Sequence, residues 1–129
     1  MLKYSVIVFT CLGLSSLVHA NDWLFVPSKE NKCNIKVFYD KSALKENKLI
    51  EKWDVSHSNT CDSQQKKQSY LIYESKLDCH NKQLTALSHT FYFKDGSKKK
   101  YEDTSSVPFE PRGTSKLLLD EACSLVNKP

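Results

Sequence analysis

Between Tyr70 and Cys79 the side chains alternate: Leu71, Tyr73, Leu77 and Cys79 share one parity, and Glu74, Lys76 and Asp78 share the other. Successive side chains of a strand point to opposite faces, so this run predicts a long strand with one face in a core and Cys79 turned inward. Similar segments lie on either side. Trp23-Leu24-Phe25-Val26 is short and aromatic-rich, and Asn34 to Tyr39 sets Ile35 and Val37 against Lys36 and Phe38. Leu49 to Ser56 sets Leu49, Trp53 and Val55 against Lys52, Asp54 and Ser56, and Leu84 to Phe93 repeats the logic with Leu87, Phe91 and Phe93. Asp40-Lys41-Ser42 closes the second segment and leads into a turn with one helical loop, while Asp95-Gly96 is a two-residue hairpin signal leading into Lys98 to Glu102. Short strands with one wet face, following one another directly, predict an antiparallel meander.

Two stretches do not fit strands. His57 to Lys67 is polar and reads as a loop; Asp103 to Gly113 contains Pro108 and Pro111, which lack the donor a central strand needs, and so reads as a crossing loop. Beyond it the period changes. Leu118, Ala122 and Leu125 sit at helical spacing, as do Leu119, Cys123 and Val126, with Thr114 or Ser115 placed to cap the helix. The expectation is an α+β fold, an antiparallel sheet of about six strands with a C-terminal helix packed on it.

The N-terminus fixes the compartment. Lys3 precedes an uncharged, mostly apolar run from Tyr4 to Val18, and Val18-His19-Ala20 offers a cleavage site, so residues 1–20 read as an export signal and 21–129 as one mature domain. The apolar run is shorter than the roughly 20 residues of a spanning helix, which leaves no transmembrane segment in the mature chain. Cys11 lies inside this signal, after bulky Phe9 and Thr10 where a lipidation site wants small residues. The remaining cysteines, Cys33, Cys61, Cys79 and Cys123, form an even set in an oxidising compartment and predict two disulfides. An inward Cys79 on a strand and an inward Cys123 on the closing helix can meet, which favours Cys79 with Cys123 and Cys33 with Cys61; the other two connectivities stay open.

Of 19 Lys and Arg, Lys3 belongs to the signal, so the mature chain sets 18 against 15 Asp and Glu, a net +3. That mild excess does not indicate a nucleic-acid partner. The densest cluster is Lys98-Lys99-Lys100 with Tyr101, which on a strand projects two cations to one face and one to the other. It is a candidate patch for an acidic protein segment or sulfated glycan, and lysines on an edge strand also discourage unwanted pairing. Phe38 and Tyr92 would add aromatic anchors if they face outward.

Catalytic groups are sparse. His57 falls in a polar loop, His80 beside a cysteine, and His89 on the inward parity of its strand. A zinc set of Cys61, Cys79, His57 and His80 lacks the usual close ligand pairs, so no metal or cofactor is expected. Glu74 and Asp78 lie four residues apart on one face, roughly 13 Å along a strand, too far for a paired acid and base. The chain is expected not to be an enzyme.

Several positions together resemble the surface-adhesin protein E family, small exported proteins of Gram-negative bacteria. They are Tyr39-Asp40 before a Ser-containing turn, Lys52-Trp53, Tyr73-Glu74, Asp78-Cys79, Ser88 and Tyr92 before Gly96, and Gly113-Thr114 opening a helix that ends at Cys123. The likeness runs from about Trp23 to Val126. It departs at Pro111-Arg112-Gly113-Thr114, where the family has Pro-Gly-Ser, and in the extra Cys33 and Cys61. The resemblance implies a curved antiparallel sheet of about six strands with a disulfide-tied helix, and attachment to host extracellular-matrix or plasma proteins from the cell surface or outer membrane. It also allows homodimers through an exposed edge. Competing expectations are a periplasmic inhibitor or chaperone-like module that inserts a loop, Ser58 to Lys67 or Thr104 to Arg112, into a periplasmic partner, and, from another class, a small exported hydrolase.

Overall fold

The alternation is realised as six strands: β1 (Trp23–Val26), β2 (Lys36–Asp40), β3 (Lys48–Asp54), β4 (Gln68–Asp78), β5 (Gln83–Phe93) and β6 (Lys98–Glu102). Each pairs antiparallel with its sequence neighbour, giving the spatial order β1-β2-β3-β4-β5-β6 with β1 and β6 at the edges. One helix, α1 (Gly113–Val126), packs on one face. The expected α+β meander with a C-terminal helix is therefore the fold. The computed structural model describes residues 21–27, 34–56, 67–104 and 107–127. The export signal with Cys11, the Cys33–Cys61 pairing and most of the Ser58 to Lys67 loop lie outside the described residues.

Register assigns the faces. A row of partners, Leu24, Tyr39, Glu51, Tyr73, His89 and Tyr101, crosses all six strands on the helix side. One residue along, Phe25, Phe38, Lys52, Ile72, Thr90 and Lys100 form the corresponding row on the opposite side. On the helix side Val26, Val37, Leu49, Leu77 and Leu84 close against Leu118, Leu119, Ala122 and Cys123 of α1. Leu118 and Leu119 are fully enclosed, and burying each contributes on the order of 2 kcal/mol. Cys79, just past β4, is bonded to Cys123 with Cα atoms 5.5 Å apart, so the inward parities of strand and helix meet as expected.

The structure corrects three local expectations. Of the expected inward residues of β5, Phe91 lies on the helix side but Leu87 does not. Ser75 pairs with Ala86 and Glu74 with Ser88, so Leu87 is an extra residue in a β-bulge. The bulge changes the parity, placing Leu84 and Ala86 before it and His89 and Phe91 after it on the helix side, and Leu84 is the most buried residue of β5. The Asp95-Gly96 turn is a three-residue loop rather than a two-residue one. The Phe93 N–H donates to the Ser97 carbonyl at 2.9 Å, and Gly96 takes φ +90°, a conformation that disfavours any side chain. Neither Thr114 nor Ser115 caps α1: the N-cap is Arg112, with no side-chain cap bond, and the Ser115 hydroxyl is directed to the sheet instead.

The connections are tied to the sheet by side chains. Asp40 opens a 3₁₀ turn (Lys41–Glu46) by accepting from the Ser42 N–H at 3.0 Å and hydroxyl at 2.6 Å, and it also accepts from the Asp22 N–H and the Asn21 amide. The crossing loop after β6 is held where Phe109 and Leu84 exchange backbone hydrogen bonds of 2.8 and 2.9 Å, so the loop lies along β5 beyond the end of β6.

Candidate functional site

Among the described residues the helix covers one face of the sheet and the other presents its side chains outward. Strand alternation divides the Lys98–Tyr101 patch between them. Lys98 is the partner of Tyr92, and Lys100 of Thr90, on the uncovered face; Lys99 and Tyr101 partner Phe91 and His89 on the helix side. All four are exposed. Lys100 pairs with Glu102 at 3.2 Å, and the Lys99 ammonium lies 5.1 Å from the centre of the Tyr101 ring.

Lys98 and Lys100 extend a basic and aromatic surface that crosses the uncovered face. Tyr92 stacks on Tyr70, with ring centres 4.3 Å apart. The Lys52 ammonium sits 4.6 Å from the Tyr70 ring centre and 5.6 Å from that of Trp23, within range of a cation–π attraction. Phe25 and Phe38 meet edge to face at 5.4 Å beside them. Phe38 and Tyr92 thus face outward, whereas Tyr101 does not share their side. Lys52, Trp23, Tyr70 and Tyr92 border a shallow groove of about 290 Å³, closed at one end by Glu74, which is held by Lys48 at 3.1 Å. Glu74 is therefore a paired surface carboxylate, and Asp78 is used by the β4–β5 turn, where it accepts from the Asn81 backbone and amide.

The helix side holds a second feature that alternation alone does not announce. Glu51 stands on the inward parity between Leu49 and Trp53 and is only 4% exposed. Its Oε1 accepts from Trp53 Nε1 at 3.4 Å and from the Ser115 hydroxyl at 3.2 Å, a bond across 64 residues from the first turn of α1. Burial pushes its carboxyl up to about 7, against the lowering effect of those two hydrogen bonds. The hydrophobic stripe of α1 clusters with Val37, Leu49, Leu77 and Leu84, while beyond Ser115 the crossing loop borders the sheet with Asp103 and Phe109. A cavity of about 390 Å³ remains there. Its floor is Tyr73, Ser75, Ala86 and His89, Glu51 and Trp53 stand at one side, and Asp103 and Phe109 close the other.

His89 occupies the middle of this floor. Its ring stacks between Tyr73 at 6.1 Å and Tyr101 at 5.1 Å, and its Nδ1 lies 3.4 Å from Asp103 Oδ2. A carboxylate only accepts, so an N–H on Nδ1 donates to Asp103 and Nε2 is left for other contacts. His80 is exposed in the β4–β5 turn, and His57 lies outside the described residues. Among the described residues no three His, Cys, Asp or Glu side chains gather to hold a metal ion, and no helix is long and apolar enough to cross a membrane.

No family model, curated protein or solved structure matches the chain.

Proposed function

We propose that this protein is an exported, non-enzymatic binding module that attaches to an acidic surface of a host extracellular-matrix or plasma protein, in the manner of the protein E adhesins it resembles. The observation that carries this reading is the uncovered sheet face, where Lys98 follows Tyr70 and Tyr92 in one row of partners, Lys52 and Lys100 share the next, and Lys52 lies against the Tyr70 and Trp23 rings. A sheet of this kind normally buries one face and wets the other with scattered polar residues. Here five aromatic rings, Trp23, Phe25, Phe38, Tyr70 and Tyr92, share the wet face with lysines. Rigid rings supply contact area at low entropic cost, and the cations steer and orient an anionic partner.

The first experiment is protease treatment of intact cells, followed by detection of the mature domain, with a periplasmic protein as the leakage control. Loss of the domain from unbroken cells is expected, and would be followed by binding to immobilised matrix and plasma proteins. Protection until the outer membrane is opened would overturn the adhesin reading and favour a periplasmic inhibitor or chaperone-like role.

A further inference from the structure

The cavity between α1, the crossing loop and the helix side of the sheet is independent of the uncovered face, and its chemistry has a definite sign. Glu51 and Asp103 supply carboxylates, and Ser75 and Ser115 supply hydroxyl oxygens, while no lysine or arginine among the described residues lines it. Both hydrogen bonds to Glu51 fall on Oε1. Glu51 itself lines the cavity. His89 directs Nδ1 to Asp103, so its Nε2 is a further polar group over the floor. Acceptors therefore outnumber donors, and a fitting guest must bring hydrogen atoms and positive charge. Trp53, Tyr73 and Phe109 line the same cavity and supply aromatic carbon surface for the guest's frame.

We propose that this cavity binds a small organic cation of the alkylammonium class, its ammonium group on Glu51 and its carbon frame against Trp53, Tyr73 and Phe109. The two carboxylates mark opposite ends. Glu51 and His89 are separated by two strand spacings through Tyr73, about 10 Å, and Asp103 lies beyond on the His89 side. A guest with a second ammonium group reaches both poles and binds more tightly than one with a single charge. A bare metal ion is a poorer fit, since the oxygen ligands are spread along the cavity instead of converging on a point.

Binding is coupled to protons. An ammonium ion at Glu51 favours its ionised form, so a proton is released on binding near neutral pH and affinity falls as acid neutralises the carboxyl. The other ionisable groups facing Glu51 are Tyr39 of β2 and Tyr73 of β4, with His89 and Asp103 across the cavity and Glu121 of α1 acting on Tyr39. The Tyr73 phenol is raised by burial and by the Glu51 charge, so it stays neutral over the range where Glu51 titrates.

Titration calorimetry of the purified protein with 1,4-diaminobutane, 1-aminobutane, 1-butanol and butyrate tests the assignment without any substitution. The two amines are expected to bind, the diamine more tightly, with at least about tenfold preference over butanol at about pH 8, and with proton release detected by repeating the titration in buffers of different ionisation enthalpy. Glu51→Gln should weaken the amines about tenfold or more and abolish the proton release, while Asp103→Asn should erase the advantage of the diamine alone. Equal binding of butanol and amine, preference for butyrate, or no amine binding by the unaltered protein would overturn the proposal. None of these outcomes bears on attachment through the uncovered face.

Discussion

Glu51 is the residue whose environment departs furthest from what its chemistry prefers. Its carboxyl is held at about 7 instead of 4.5, chiefly by burial. Below pH 4.5 the group is protonated in folded and unfolded chains alike and takes nothing from stability. Between 4.5 and about 7 the unfolded chain gives up its proton more readily, so stability falls as pH rises, and above about 7 the loss is complete. The gap corresponds to about 3 kcal/mol, against a total stability on the order of 5–15 kcal/mol. Glu51→Gln keeps the shape and an acceptor for Ser115 and Trp53 but cannot ionise. Denaturant unfolding of both proteins across this window should show the variant gaining on the parent by about 3 kcal/mol from acid to alkaline pH. Parallel pH profiles would show that the carboxyl is solvated in the folded protein.

At the scale of elements, α1 is held to the sheet by an apolar stripe, a covalent bond and the Ser115–Glu51 hydrogen bond. Leu118, Leu119 and Ala122 fill the stripe, and Cys123 ties it to the end of β4 through Cys79. The bond closes a loop across 44 residues, for which the chain-entropy argument gives about 4 kcal/mol. The N-terminus of the helix lacks a side-chain cap, because the N-cap position falls on Arg112; Ser115, inside the first turn, bonds Glu51. Replacing Cys79 and Cys123 together by alanine should therefore cost several kcal/mol by denaturant unfolding, and amide exchange should show α1 losing protection before the centre of β3 to β5. Uniform loss of protection over helix and sheet would mean that the two open as one unit and that the bond is not what holds the helix down.

For the molecule as a whole, the two faces separate the lysines of one short strand into different roles. Lys98 and Lys100 join the aromatic surface on the uncovered face, and Lys99 lies over Tyr101 on the other. Substituting Lys98 and Lys100 by serine should weaken attachment to an acidic protein surface by about three- to tenfold and reduce its dependence on salt. Lys99→Ser should leave that attachment unchanged, and both variants should fold, since β6 is exposed throughout. Equal effects of the two variants, measured by solid-phase binding at low and physiological salt, would show that the lysines act through overall charge or edge protection and not through the face.

The period-two segments, the change to helical spacing after Gly113 and the inward parity of Cys79 and Cys123 were determined by sequence alone, because each follows from backbone geometry over a few neighbouring residues. From these came the six-strand meander, the closing helix, the observed disulfide and the division of Lys98 and Lys100 from Lys99. Tertiary structure alone decided the bulge at Leu87, which alternation cannot register because it breaks alternation, and through it the side on which Leu84 and Ala86 lie. It also decided the cavity. Glu51 carried a signal, a charge on an inward parity, but its partners Trp53 and Ser115, its position beyond the reach of the α1 stripe and the approach of Asp103 to His89 depend on contacts between distant parts of the chain. Local periodicity states which side of a strand a residue occupies; only the packed chain states whether that side is covered by a helix, a loop or water.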